Sequence, residues 1–172
     1  TIKADEDRSL NTWIDLGKEN KENLLTQKEE PDGVTEPDIK ADIDCRKVPF
    51  PYSGPGENHI YFEIDDSFLY DGDDNEVWIV MEYFDSGNRI KLHYDSNDDA
   101  FKSTDYITLG NTNTWKTHVW HITDGRFENR CNGSDFRFIS EGAGDIWINR
   151  VWVLPFEPAV PFDPENPEKH ND

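Results

Sequence analysis

The chain has 172 residues, 34% of them apolar, with 37 Asp and Glu against 17 Lys and Arg and a formal net charge of −20. That length suits one domain, and so acidic a chain excludes nucleic acid and anionic membrane surfaces, which need basic patches. No run of about 18 apolar residues is present, so no membrane-spanning helix is expected, while ten Phe, six Tyr and six Trp supply ring area for one core.

In chain order, the first clear apolar patch is Trp13-Ile14-Asp15-Leu16, whose alternation reads as a strand. Glu19 to Gln27 is expected as a short helix around Leu24 and Leu25, and residues 28–44, with Pro31, Gly33, Pro37 and many acids, as a long surface loop. Val48 to Gly56 carries three Pro and two Gly and must be irregular. Then strands follow closely. Ile60, Phe62 and Ile64 alternate with polar neighbours, and Val77 to Phe84 is almost continuously apolar and reads as a buried strand. Asp85 to Asn88 is a turn, with Arg89 to Tyr94 as the hairpin partner. Tyr106–Leu109, Trp115–Ile122, Asp135–Ile139 and Ile146–Leu154 complete the set, separated by loops such as Asp95–Asp99 and Arg126–Gly133.

About eight strands with turn signals every 8–12 residues predict an all-β, antiparallel β-sandwich of jelly-roll type. It would span residues 1–154, with a long irregular N-terminal segment over 1–58 and the main sandwich over 59–154. The tail, 155–172, is Pro-rich and acidic and reads as a linker to a further domain. The chain begins with Thr and shows no signal peptide, so it is expected to be processed or excised from a longer protein. Cys45 and Cys131 are expected to pair as a disulfide, as suits a secreted protein, with two buried free thiols as the alternative.

Six short motifs occur in a familiar order: Tyr61-Phe62-Glu63-Ile64-Asp65-Asp66-Ser67-Phe68, Val80-Met81-Glu82-Tyr83-Phe84-Asp85-Ser86-Gly87, Leu92-His93-Tyr94-Asp95-Ser96, Thr114-Trp115-Lys116-Thr117, Thr123-Asp124-Gly125-Arg126-Phe127 and Ser134-Asp135-Phe136-Arg137-Phe138. Over residues 59–154 the sequence resembles the jelly-roll carbohydrate-binding modules appended to bacterial glycoside hydrolases and polysaccharide lyases, many acting on algal or plant wall polysaccharides. The resemblance implies a β-sandwich, in many cases a structural calcium, and a glycan site on end loops or a concave sheet face. The cysteine pair and the acidic, linker-tailed composition point to a secreted or cell-surface protein, and the domain size and linker-like tail to a monomeric accessory module covalently linked to a catalytic domain, without catalytic residues of its own.

Sugar binding needs flat rings to stack on pyranose faces, and planar polar or cationic side chains for hydroxyls, carboxylates or sulfates. Trp78, Trp120, Trp147 and Trp152 sit in strands and are read as structural. Trp13, Trp115 and Tyr52 are the stacking candidates. Arginine is scarce, which makes its position informative: Arg46, Arg89 and Arg130, with Lys116 and Asn132, are the candidates for an anionic-sugar clamp, the alternative being internal pairing with Asp and Glu. Arg126, Arg137 and Arg150 are assigned to internal pairing. Marine algal galactans or other anionic wall polysaccharides are the expected ligands.

Calcium takes six to eight oxygen ligands from alternating Asp and Asn positions. Asp95, Asn97 and Asp99 have that spacing, as do Asp71, Asp73 and Asn75. Asp15 and Asp145 are added because jelly-roll modules often hold calcium between first and last strands. Solvated acidic loops are the alternative. For catalysis, the alternative is a small lyase, for which His59, His93, His118, His121, Tyr83 and Tyr94 offer raw material, or a glycoside hydrolase using paired carboxylates, but there is no nucleophile elbow and no His-Glu-x-x-His.

Overall fold

A computed structural model of the chain describes residues 12–51, 54, 56–69 and 72–169. Tyr52 and Asp71 lie outside the described residues. Thirteen strands and no helix occur among the described residues: β1 (Trp13–Asp15), β2 (Lys21–Asn23), β3 (Leu25–Lys28), β4 (Glu36–Lys40), β5 (Ile43–Val48), β6 (His59–Ile64), β7 (Asn75–Phe84), β8 (Arg89–Tyr94), β9 (Lys102–Ser103), β10 (Ile107–Thr108), β11 (Trp115–Gly125), β12 (Phe136–Ile139) and β13 (Ile146–Leu154). They form two antiparallel sheets, and the expectation of an all-β sandwich holds.

The first sheet runs β11-β7-β13-β1-β2. The far edge of β13 is shared, with Ile146–Ile148 pairing to β5 and Arg150–Trp152 to β1. The second sheet runs β10-β8-β12-β6-β3, with β9 on β8. The core lies between them. Val77, Ile79 and Met81 of β7 and Ile148, Val151 and Val153 of β13 face Ile60, Phe62 and Ile64 of β6, Ile90 and Leu92 of β8, and Phe136 and Phe138 of β12. The period-2 alternation places these on inner faces, where each large side chain contributes roughly 1.5–3 kcal/mol by leaving water. Phe62 stacks on Phe136 at 5.2 Å and Trp120 on Phe138 at 5.4 Å, so Trp120 is a core ring.

Four local readings change. The expected helix over Glu19–Gln27 is a pair of strands, β2 and β3, broken at Leu24, whose φ of 59° is left-handed. The expected loop over 28–44 contains β4, paired with β5. Strand β8 is not the hairpin partner of β7; β7 pairs with β11 and β13, and the 85–88 turn carries the chain to the other sheet. Buried Asp85, at the start of that turn, ties it to the 111–116 segment. Its carboxylate accepts from Asn111 N, Thr112 N and Thr112 Oγ1, with Lys116 Nζ at 3.3 Å. Burial pushes the Asp85 carboxyl up, but these donors override it and hold it down at about 2. The fourth correction is the disulfide: Cys45 and Cys131 are both free and buried. Cys45 lies in β5 of the first sheet, whereas Cys131 lies in the loop leading to β12 of the second.

Candidate functional site

The two outer faces differ in what covers them. On the first sheet, β4–β5 curls across one end: Trp147 Nε1 donates to Asp38 Oδ2 at 2.8 Å, and Trp115 Nε1, from the opposite edge strand, donates to Lys40 O at 3.1 Å. The Lys40 ammonium sits 4.1 Å from the Trp147 ring centroid. At the other end the segment after β13 packs Phe156 and Phe162 against Val80, Trp152 and Leu154, with Trp13 and Trp78 beside them. The Trp78 face is occupied by His121, stacked at 4.4 Å and held by Glu76. Most of the tryptophans thus pack within the protein on this face.

The outer face of the second sheet is built differently. Alternation turns Arg89, Lys91 and His93 of β8 outward, and likewise Arg137 of β12 and His59, Tyr61 and Glu63 of β6, because their neighbours fill the core. Register sets Arg137 between His93 and Tyr61. Its Nε donates to His93 Nδ1 at 2.9 Å and its Nη1 to Tyr61 Oη at 2.7 Å. The Phe101 ring lies 4.6 Å from the guanidinium carbon. Tyr61 Oη also accepts from Asn132 Nδ2 at 2.8 Å and donates to Asp32 Oδ1 at 2.9 Å. The 30–33 turn closes over Tyr61 so tightly that a Cβ on Gly33 would stand 2.6 Å from its ring, which is why glycine is required there. Toward the loop end, the Arg89 guanidinium stacks 4.3 Å over the Tyr106 ring and donates to the carbonyls of Ser140 and Glu141. Lys91 lies over the same ring and pairs with Glu141 at 2.7 Å.

The ion pairs sort the arginines. Among the described residues Arg126 pairs with Asp73 and Glu128, Arg130 with Asp95 and Glu128, and Arg150 with Glu82 and Glu165. Arg46, Arg89 and Arg137 have no described carboxylate partner; of these, Arg89 and Arg137 lie on this face, and Arg46 lies in β5 of the other sheet. The guanidinium has five donors, and Arg137 uses two of its nitrogens on neutral acceptors. His59 and His93 are neutral at pH 7: burial, then the Arg137 charge, holds both down at about 4. The face can therefore present cations beside aromatic rings, a chemistry suited to anionic, ring-shaped ligands.

The structure distributes the predicted site residues as follows. Arg89 and Asn132 share the second sheet's outer face. Arg130 is drawn into the buried Asp95 carboxylate, and Lys116 into Asp85. Arg46 lies on the same face of β5 as the core residue Val48. Trp13 and Trp115 are half-buried on the covered sheet. Arg137, His59, His93, Phe101, Tyr106 and Lys91 also lie on or beside this face and are not among the predicted binding residues. Arg89-x-Lys91-x-His93 alternation on one strand was a signal that could have pointed to them.

The residues named for calcium have other partners or strand neighbours. Asp95 accepts from Glu128 N, Arg130 N and Arg130 Nε. Asn97 bonds to Asp74, Asp99 to Phe101 N, and Asp145 to Phe50 N at 2.6 Å. Asp15 stands opposite Arg150 in register. No group of three or more His, Cys, Asp or Glu positioned for a metal occurs among the described residues.

No family model matches the chain, and no curated protein matches it. Among solved structures it is similar to a family 35 carbohydrate-binding module from Paenibacillus barcinonensis, at 12% identity over 83% of this chain and 98% of that one, with a TM-score of 0.48. It is also similar to a family 29 carbohydrate-binding module, at 12% identity over 83% and 86% of the two chains and a TM-score of 0.49. A family 29 variant in complex with mannohexaose aligns at 14% identity over 83% and 89%, with a TM-score of 0.46.

Proposed function

We propose that this chain is a non-catalytic carbohydrate-binding module whose β8–β12–β6 outer face takes an anionic polysaccharide. The observation that carries the reading is the pair Arg89 and Arg137, free of described carboxylate partners in so acidic a chain and each stacked on a ring. In the fuller form of the reading the ligand is a marine algal galactan of agar, porphyran or carrageenan type. The module acts outside the cell and holds an attached polysaccharide-degrading enzyme at its substrate, raising its effective concentration there. Affinity electrophoresis against agarose, porphyran, carrageenan, ulvan, alginate and pectin tests it. Retardation by one or more anionic polymers is expected, and retardation by none would sink the reading.

A second reading, a small polysaccharide lyase, is favoured by one observation: His59, Tyr61, His93, Asn132 and Arg137 share this face. Against it, Tyr61 is fully buried and its oxygen is engaged by three partners. Burial pushes its hydroxyl up to about 12, which leaves it a poor base at neutral pH. Release of unsaturated ends from the same polymers, followed by absorbance, would favour the lyase.

A further inference from the structure

The two arginines of this face that lack a described carboxylate partner are not adjacent, and what lies between them is neutralised. Arg89 and His93 are four residues apart on β8, and Arg137 is directly opposite His93, so the two guanidiniums attach to the sheet roughly 13 Å apart, a span of two to three pyranose rings. Midway along that line stands Lys91, whose ammonium is already paired with Glu141 at 2.7 Å. Opposite Lys91 in register is the apolar Ile139. The face therefore reads, in order, cation, closed ion pair, cation. A chain with an acid group on every sugar would lay one anion against the partly exposed Glu141 carboxylate, and like charges in contact are repelled. A chain with an acid group on alternate sugars would place anions at both ends and a neutral ring in the middle, over the flank of Tyr106.

We propose that the site selects polysaccharides that carry their carboxylate or sulfate on every second sugar, Arg89 and Arg137 each holding one anion of successive repeats. This rests on the glycan-binding reading above and names its ligand class. Each contact is a charge-assisted hydrogen bond from the guanidinium N–H groups that the protein partners leave over.

The test compares affinity electrophoresis in hyaluronan and κ-carrageenan, charged on alternate sugars, with polygalacturonate, charged on every sugar, and with neutral agarose. The intact chain and the variants Arg89→Ala and Arg137→Ala are run in parallel, with urea unfolding midpoints as the control for folding. The expected result is retardation by an alternate-charge polymer at least about tenfold stronger than by polygalacturonate. Either variant should reduce that ratio towards one. Equal or tighter binding of polygalacturonate overturns the spacing while leaving the glycan reading in place. Absence of retardation by every polymer overturns both.

Discussion

Arg89 and Arg137 differ from Arg126, Arg130 and Arg150 only in what neutralises them, and that difference is invisible in sequence. Arg137 was assigned to internal pairing because it sits in a strand; strand position says which face a residue takes, not which side chains come to meet it. Arg89 is exposed and touches backbone carbonyls, so Arg89→Ala should weaken binding of an anionic glycan by about tenfold while leaving the thermal midpoint essentially unchanged. Calorimetric titration and a melting curve on the same sample check this. Asp85 lies at the other extreme. Its carboxylate is wholly enclosed, so Asp85→Ala strands the amides of Asn111 and Thr112 and should cost about 2–3 kcal/mol in urea unfolding. Stability unchanged in that variant would contradict its role in anchoring the 111–116 segment. The histidines give a pH signature. Their folded values of about 4 lie below the unfolded value, near 6.5. A depressed histidine adds stability that is present above the unfolded value and is lost as pH falls toward the folded one. The stability deficit of His93→Gln relative to the parent chain should therefore shrink between pH 7 and pH 4.5, and a constant deficit would refute the depressed values. Asp135, raised by burial to about 7, acts oppositely over that range, which is why the difference between variants is the quantity to measure.

At the scale of elements, the long strands were legible and the short N-terminal ones were not. Strands β6, β7, β11, β12 and β13 bury one face against a core, so alternation or a continuous apolar run marks them. Strands β2 and β4 are exposed edge pieces, specified by their partners rather than by a hydrophobic pattern. Proline at 37 is tolerated there because an edge strand does not need every amide. The segment after β13 reads as a linker by composition, yet Phe162 is 7% exposed and packs on Trp152 at 4.9 Å. Two aromatic residues in a proline-rich acidic run are a weak signal, and proline's fixed geometry lets such a run lie against a sheet without a ladder. Truncation after Leu154 should uncover Val80, Trp152 and Leu154, lower the unfolding free energy by about 2–4 kcal/mol, and increase binding of a hydrophobic dye. A truncated chain as stable as the parent would show that the packing of Phe156 and Phe162 contributes little.

For the whole molecule, the sandwich was legible in strand spacing, whereas the site was only half so. Sequence named Arg89 and Asn132 but could not tell which sheet would be covered, since that depends on where β4–β5 and the 155–169 segment lie. It therefore favoured Trp13, Trp115 and Tyr52 as stacking rings, while the rings beside Arg137 and Arg89 are Phe101 and Tyr106. Net charge adds a further consequence. A chain of −20 repels an anionic polymer at long range, and salt screens that repulsion within about 10 Å at 0.1 M. The half-buried Arg137 contact is screened less. Association with an anionic glycan should therefore speed up between about 10 mM and 100 mM salt, the reverse of ordinary charge-driven binding; stopped-flow measurements across that range would expose a simple decline. The most direct measurement of the central claim is an amide chemical-shift titration of the labelled chain with an anionic oligosaccharide. Shifts should concentrate on Arg89–His93, Phe101–Tyr106, Arg137 and Asn132, and Arg137→Ala should abolish them. Shifts confined to Trp13, Trp78, Trp115 and Trp147 on the opposite sheet would contradict the account.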